Sequence, residues 1–227
     1  MRVLIYSDNH WCQYSSIVRK RGEKYSLRLE NQIASINWAE RLSLEMGCNK
    51  VVHLGDFFDS AVLNAEEISA LKEINWNKHI FHYFLCGNHE MGSSDLSFNS
   101  IRALGLCPFI DVIDKPYMQT EQDVVFIYLP YILEENRESL LHYIPSKEEC
   151  EGRKRIVFSH NDIKGVQMGQ FISKEGFEID DIRLNCDLFL NGHLHNGEKL
   201  SDKIINVGNL TGQNFSENAF KYDHCAY

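Results

Sequence analysis

Asp8 and His10 stand two residues apart in Ser7-Asp8-Asn9-His10, and His193 and His195 repeat that spacing in Gly192-His193-Leu194-His195. In an extended segment residues i and i+2 share a face, so each pair can grip a single ion. Three more polar clusters lie between them: Gly55-Asp56-Phe57-Phe58-Asp59, Gly87-Asn88-His89-Glu90 and a lone Ser159-His160. Gly55 permits a sharp exit from a strand. Carboxylate oxygen, amide oxygen and imidazole together suit manganese, iron or zinc better than calcium. The lack of thiolate argues against a purely structural zinc.

Residues this scattered need elements to gather them. Strands are expected at Arg2 to Ser7, Lys50 to Leu54, His79 to Leu85, Val124 to Leu129, Arg155 to Ser159, Asp187 to Leu190 and Lys203 to Val207. A helix is expected around Leu27 to Met46, where Ile33, Ile36, Ala39, Leu42 and Met46 recur at helical spacing and serve as core. A second is expected around Ala65 to Ile74, with Ile68, Leu71 and Ile74 on one side. Strands separated by helices predict an α/β layered architecture with parallel pairs, part of it mixed. Asp8, Asp56, Asn88, His160 and His193 each fall just past an apolar strand. Sites in such sheets form where loops leave the carboxyl ends of strands, so five strands can deliver ligands to one rim.

The remaining composition narrows the class. At 227 residues, one core and one domain spanning 1–227 are expected. No stretch approaches the roughly 18 apolar residues of a membrane helix. The start, Met1-Arg2-Val3-Leu4-Ile5-Tyr6, reads as a strand and not a secretory signal. A cytoplasmic location is the expectation. Seven scattered cysteines without a C-x-x-C pair read as buried apolar residues in a reducing compartment. The net charge of −9 argues against strong unassisted binding to a polyanion, although bound cations and a local basic loop could offset it.

The order D-x-H, G-D-x-x-D, G-N-H-E, lone H and G-H-x-H over residues 7–195 resembles the calcineurin-like metallophosphoesterases. That resemblance implies a layered sandwich of two mixed β-sheets flanked by helices. It also implies two divalent metal ions, Mn2+ first and Fe2+ or Zn2+ as alternatives. Asp8, His10, Asp56 and His195 would hold one; Asp56, Asn88, His160 and His193 would hold the other, with Asp56 bridging. A bridging hydroxide would attack the phosphate, with His89 as general acid and Asp59 as its hydrogen-bonded partner. Glu90 is expected to support the His89 loop and Asn9 to shape a turn. Phe57 and Phe58 are expected in the core, and His53, His79, His82, His142 and His224 in structural roles.

Substrate has to come from finer features, because one scaffold hosts many chemistries. Asp59 is followed by Ser60-Ala61 and not the Arg-Gly of protein phosphatases in this family, which disfavours that substrate. Ile204-Ile205-Asn206-Val207-Gly208-Asn209-Leu210 and Phe215-Ser216-Glu217 resemble the close of the nuclease core in SbcD-type double-strand-break nucleases. Tyr128-Leu129-Pro130-Tyr131 with Glu134-Glu135-Asn136, and the run from His160 through Gly165 and Gly169 to Gly176, resemble phage recombination endonuclease subunits. A Mn-dependent DNA exo- or endonuclease is therefore expected, with DNA contacts from Arg19, Lys20, Arg21, Lys24 and Arg28, interleaved with Trp11, Tyr14 and Tyr25. The resemblance further implies an SMC-like ABC ATPase partner of the SbcC type, a homodimer, and a setting in the cytoplasm of a bacterium or a phage-infected host cell. The chain stops at 221–227 in what looks like mid-strand, so capping and ATPase-binding regions are expected to be absent. Alternatives are a phosphodiesterase or phosphatase acting on a small molecule and, less favoured, a non-catalytic scaffold.

Overall fold

The computed structural model describes residues 1–168 and 171–213. Gly169, the 215–217 segment, His224 and the closing run 221–227 lie outside the described residues. The first sheet consists of β1 (Val3–Tyr6), β2 (Lys50–His53), β3 (Phe81–Leu85) and β4 (Ile110–Ile113), in that spatial order and parallel throughout. Helices α1 (Leu27–Glu45) and α2 (Ala65–Ala70) lie in its crossovers. The layered α/β sandwich that the family resemblance implies is present; of its two sheets, expected to be mixed, the first is parallel and the second mixed.

That second sheet begins with β5 (Tyr117–Glu121), β6 (Val124–Leu129) and β7 (Lys154–Ser159). A short hairpin, β8 (Gln167–Met168) and β9 (Phe171–Ile172), stands apart from it. With β10 (Leu188–Asn191), β11 (Glu198–Lys199) and β12 (Ile204–Asn206), the spatial order is β11-β12-β10-β7-β6-β5. The inner four strands run parallel and the two outer pairs antiparallel. Short helices α3 (Leu140–Tyr143) and α4 (Ile179–Asn185) cover its outer face.

The sheets meet through alternate side chains. Ile5, Val52, Leu54, Tyr83 and Leu85 from one side pack on Phe126, Tyr128, Phe158, Leu190 and Val207 from the other. Tyr83 and Tyr128 stack with ring centroids 5.1 Å apart. Each such fully buried side chain contributes about 1.5–3 kcal/mol from area removed from water. Lys50 of β2 is buried in the same interface, pairs with Glu121 of β5 and lies 4.4 Å above the Phe126 ring. Its aliphatic stem fills the layer while the ammonium is satisfied at the edge.

Helix α1 starts where the Ser26 hydroxyl accepts from the Leu29 amide, satisfying a free donor of the first turn. Its buried face runs Leu29, Gln32, Ile36, Ala39, Glu40 and Ser43. Ile33 and Leu42 pack only at its margin and Met46 is exposed, so the apolar stripe expected from the sequence is rotated. Polar Arg28, Gln32 and Glu40 take the inward positions because each has a partner there. Helix α2 opens with a capping box between Asn64 and Glu67, then tightens into a 3-10 turn over Leu71–Glu73. Strands β4 and β5 were not foreseen: β5 is a largely exposed edge strand whose Gln, Thr and Glu hide the pattern.

Candidate metal centre

Every expected ligand does emerge at the carboxyl end of a strand, and the loops converge. Asp8 and His10 follow β1, Asp56 follows β2 and Asn88 follows β3. His160 follows β7, and His193 and His195 follow β10. Asp8, His10, Asp56 and His193 have φ of 51°, 47°, 53° and 69°. Left-handed backbone at a non-glycine residue costs about 1–3 kcal/mol and persists only when its surroundings enforce it.

The enforcement is visible. Asp8 N donates to Gly55 O at 3.1 Å, His10 N to Asp56 O at 3.0 Å and Trp11 N to Phe57 O at 2.7 Å, so the first two loops are laced together. Buried Gln32 donates to the carbonyls of Asn9 and His10 at 2.6 and 2.8 Å. Arg28 Nη2 reaches Asn9 O at 3.1 Å, while its Nη1 holds Gly212 O at 2.6 Å. Leu210 N donates to Ser7 O at 2.9 Å. On the other sheet, Asn161 and Asn191 exchange main-chain and side-chain bonds of 3.2 and 2.9 Å, which joins the loops carrying His160 and His193. Gly87 and Gly192 are required by proximity. A Cβ at Gly87 would lie 2.1 Å from Asp56 Oδ1, and one at Gly192 would lie 2.3 Å from Ser7 Oγ.

Two ligand groups result, each with one atom per residue within 4.8 Å of the others: Asp8, His10 and His195, and Asp56, His160 and His193. Asn88 Oδ1 joins the second, 3.3 Å from His160 Nε2 and 3.0 Å from His193 Nδ1. The outward ring nitrogens all face acceptors. His10 Nδ1 is 3.0 Å from Asp59 Oδ1, His160 Nδ1 is 2.6 Å from Leu54 O, and His193 Nε2 is 3.1 Å from Asp162 Oδ1. In the neutral rings those nitrogens carry the proton, leaving bare His10 Nε2, His160 Nε2 and His193 Nδ1 aimed inward. There they meet further nitrogen and oxygen atoms: His195 Nε2 lies 2.9 Å from His10 Nε2, and Asp56 Oδ2 lies 3.2 Å from His160 Nε2. Imidazole nitrogens, carboxylates and an amide oxygen gathered into two such groups fit two divalent ions.

The titration of the cluster tells the same story. Burial alone would raise the Asp56 carboxyl, but the adjacent His160 reverses this and holds it well below the usual carboxylate range. His160 is disfavoured by burial as a cation, and Asp56 nonetheless raises its pKa. Without an ion, a proton on His160 offsets the carboxylates. Glu90 is fully buried; burial first, and then the Asp56 charge, pushes its carboxyl up. It accepts from Phe58 N at 2.9 Å and Gly87 N at 2.7 Å, so it braces the Asp56 and Asn88 loops as expected.

His89 stands at the mouth, its side chain 40% exposed, with its amide donating to Asp56 Oδ1 at 3.0 Å. Its Nδ1 lies 3.0 Å from the Asp59 main-chain carbonyl and 3.6 Å from the carboxylate. The Asp59 carboxylate instead faces His10 Nδ1 and accepts from Gln213 Nε2 at 2.9 Å. The expected His89–Asp59 side-chain pairing is thus corrected: Asp59 orients His89 through its backbone and His10 through its side chain. His10, Asp59 and His89 also form a three-residue cluster, but the His10–Asp59 hydrogen bond within it uses the outward nitrogen of His10.

The basic loop needs larger corrections. Arg28 is buried and occupied with main-chain carbonyls. Arg21 pairs with Glu66 at 2.7 Å and Lys24 with Glu73 at 2.6 Å. Trp11 lies in the core stacked on Phe57, with its Nε1 donating to Glu67 O, and Tyr25 is buried. Arg19 and Lys20 remain exposed and make no ion pair among the described residues. Arg19 and Tyr14 line a cleft of about 570 Å³ with Ser15, Ser16, Asp59 and Gln213, next to the donor groups. Phe57 and Phe58 are in the core as expected, and His53 and His82 are buried structural residues. His53 Nδ1 accepts from Gly55 N.

Sequence reasoning gave no role to Asp162, Asn161, Asn191, Gln32 or Gln213. Only the position of Asn161 and Asp162 directly after His160 could have flagged them.

Two opposed groups of His and Asp at the rim of an α/β sandwich define a dimetal phosphoesterase site. The sequence profile described as calcineurin-like phosphoesterase matches residues 1–197, and the chain belongs to that family. Among solved structures it is similar to a dimetal phosphatase from Danio rerio, with a TM-score of 0.55 and 13% identity over 92% of this chain and 87% of that one. It is also similar to the protein TT1561 of Thermus thermophilus, with a TM-score of 0.50 and 11% identity over 92% and 89%. At these identities the likeness concerns the fold alone. No curated protein matches the sequence. Among the described residues, no helix is long and apolar enough to cross a membrane.

Proposed function

We propose that this phosphoesterase cleaves phosphodiester bonds in DNA, with manganese as its ion. The observation that carries the hydrolytic part is the apposition of ring nitrogens, carboxylates and the Asn88 amide oxygen, with His89 at the mouth. Two divalent ions there would polarise the phosphate and supply a nucleophile by lowering the pKa of water. The chain's own residues do the rest. His89, held through Nδ1 by the Asp59 carbonyl, points its other nitrogen at incoming substrate and, protonated, donates to the leaving oxygen.

For DNA the supports are the likeness of Ile204 to Leu210 and Tyr128 to Tyr131 to SbcD-type and phage nuclease subunits, and the cleft beside Asp59. Arg19 there can neutralise a backbone phosphate next to the scissile one, and exposed Tyr14 can pack on a sugar or base. A small-molecule phosphodiester is the second reading. It is favoured by the pairing of Arg21 and Lys24 and the burial of Arg28, which leave few free cations in a chain of net charge −9.

Metal-stripped protein, with and without Mn2+, should be assayed on linear double- and single-stranded DNA and on bis(p-nitrophenyl) phosphate, beside His89→Ala. Mn-dependent DNA cutting that the substitution abolishes is the expected result. Cleavage of the small diester with DNA untouched would shift the assignment to the second reading.

A further inference from the structure

Asp162 follows His160 by two residues, which is its one mark in the sequence. In the fold its Oδ1 lies 3.1 Å from Nε2 of His193, and its side chain is only 17% exposed. Arg137 stands behind it, with Nη2 3.7 Å from Asp162 Oδ2. Arg137 is itself held in place: it donates to Ile132 O at 2.7 Å, pairs with Glu134 and lies 5.5 Å over the Phe177 ring. The main chain of Asp162 is also fixed, since Phe177 N donates to its carbonyl at 3.0 Å. Gly176 lies so close that a Cβ there would be 2.3 Å from Asp162 O. A carboxylate gripped on both its side chain and its backbone has one orientation available.

We infer that Asp162, backed by Arg137, is a positioning residue that sets the tautomer of His193. By accepting from Nε2 it keeps the single proton of the neutral ring there and turns a bare Nδ1 toward Asn88 and the second donor group. Were the proton on Nδ1, an N–H would point at Asn88 Oδ1, 3.0 Å away, and occupy the space an ion needs. Arg137 has a separate effect. By attracting Oδ2 to its own side, it keeps the Asp162 carboxylate from swinging inward as a ligand in its own right. The inference rests on the metal-centre reading but not on the choice of substrate. Second-layer carboxylates of this kind affect ion affinity by about 10–100-fold.

The test uses the full chain as wild type, Asp162→Asn, Asp162→Leu and Arg137→Met, with folding checked by thermal melting. Mn2+ titrated into metal-stripped protein, with free ion read by electron paramagnetic resonance, gives the number of sites and each affinity. Wild type should hold two ions. Asp162→Leu should lose about 10–100-fold in affinity at one site and leave the other unchanged. Asp162→Asn, whose side-chain oxygen can still accept from Nε2, should recover most of the loss, and Arg137→Met should weaken the same site less than Leu does. Long-range proton–nitrogen correlation on histidine-labelled, metal-free protein should show His193 as the Nε2–H form in wild type and Asp162→Asn, and mixed in Asp162→Leu. Unchanged affinity and tautomer in the Leu variant would overturn the inference. So would an Asn variant no better than Leu, since bracing alone would explain both; if Leu does not fold, Asn and Arg137→Met decide. If wild type holds no second ion, the metal-centre reading fails first and this inference with it.

Discussion

The carboxylate of Asp59 lies 3.0 Å from Nδ1 of His10 and 3.6 Å from Nδ1 of His89, which the Asp59 main-chain carbonyl meets more closely, at 3.0 Å. One residue therefore orients two imidazoles by different atoms, and side-chain replacement separates the two jobs. Asp59→Ala should weaken ion binding at the Asp8–His10–His195 group by about 10–100-fold. His89→Ala should leave the number and affinity of bound ions unchanged while lowering kcat by about 10²–10⁴-fold. Mn2+ titration alongside steady-state kinetics checks both. Equal ion affinity in Asp59→Ala and wild type would show that the His10 contact has no bearing on loading.

The two arginines at either end of the basic loop should behave differently. Arg19→Ala should leave the melting temperature unchanged, weaken DNA binding, and reduce the slope of log affinity against log salt by about one phosphate contact. Arg28→Met removes the grip on the buried Asn9 carbonyl and on Gly212 O, and leaves Asn9 O with fewer donors. It should destabilise the fold by about 1–3 kcal/mol and disturb loading at His10. Denaturant unfolding and salt-dependent binding distinguish the two.

Gly87→Ala forces a methyl group against Asp56, 2.5 Å from its main-chain nitrogen as well as 2.1 Å from Oδ1. Backbone cannot yield there as a flexible side chain would. A stability loss of about 1–3 kcal/mol is expected from overpacking, together with loss of ion binding that depends on Asp56. A variant that binds two ions normally would refute this.

Glu40, buried on α1 and accepting from Asn77 N at 2.9 Å, has its carboxyl pushed up to about 7, chiefly by burial. A carboxyl whose folded pKa lies above its unfolded value binds more protons in the native state between the two. Stability from this group is complete below the unfolded value of about 4.3 and is lost as pH rises through 7, by about 4 kcal/mol in all. His82, 3.6 Å from Glu40 and depressed by burial, acts in the opposite direction as pH falls. The clean comparison is therefore Glu40→Gln against wild type. The variant should gain in relative melting temperature from pH 5 to pH 8, and a constant difference would contradict the assignment.

The ligands were legible in sequence because strand ends are legible: an apolar run followed by a donor-rich break marks both the element and its cargo. That pattern put Asp8, Asp56, Asn88, His160 and His193 at one rim; their division between two ions came from the family resemblance. What surrounds them was not legible, because it depends on contacts between distant segments. Arg28 meets Gly212 across 184 positions, and Asp59 meets Gln213 across 154. The basic loop misled for the same reason. Its charges look solvated until α2 and the turn after it bring Glu66 and Glu73 alongside. The stripe on α1 was displaced because buried Gln32 and Glu40 count as polar in any periodicity, although their partners make the inward face the favourable one.

Neither donor group belongs to one sheet. Asp8 and His10 come from the first and His195 from the second; Asp56 and Asn88 come from the first and His160 and His193 from the second. As the chain leaves the ribosome, the whole four-stranded layer emerges with half of each ion site and no way to close either. The second group stays open until His193 has been made, and the first until His195. Full loading of both groups therefore requires that the two layers have come together.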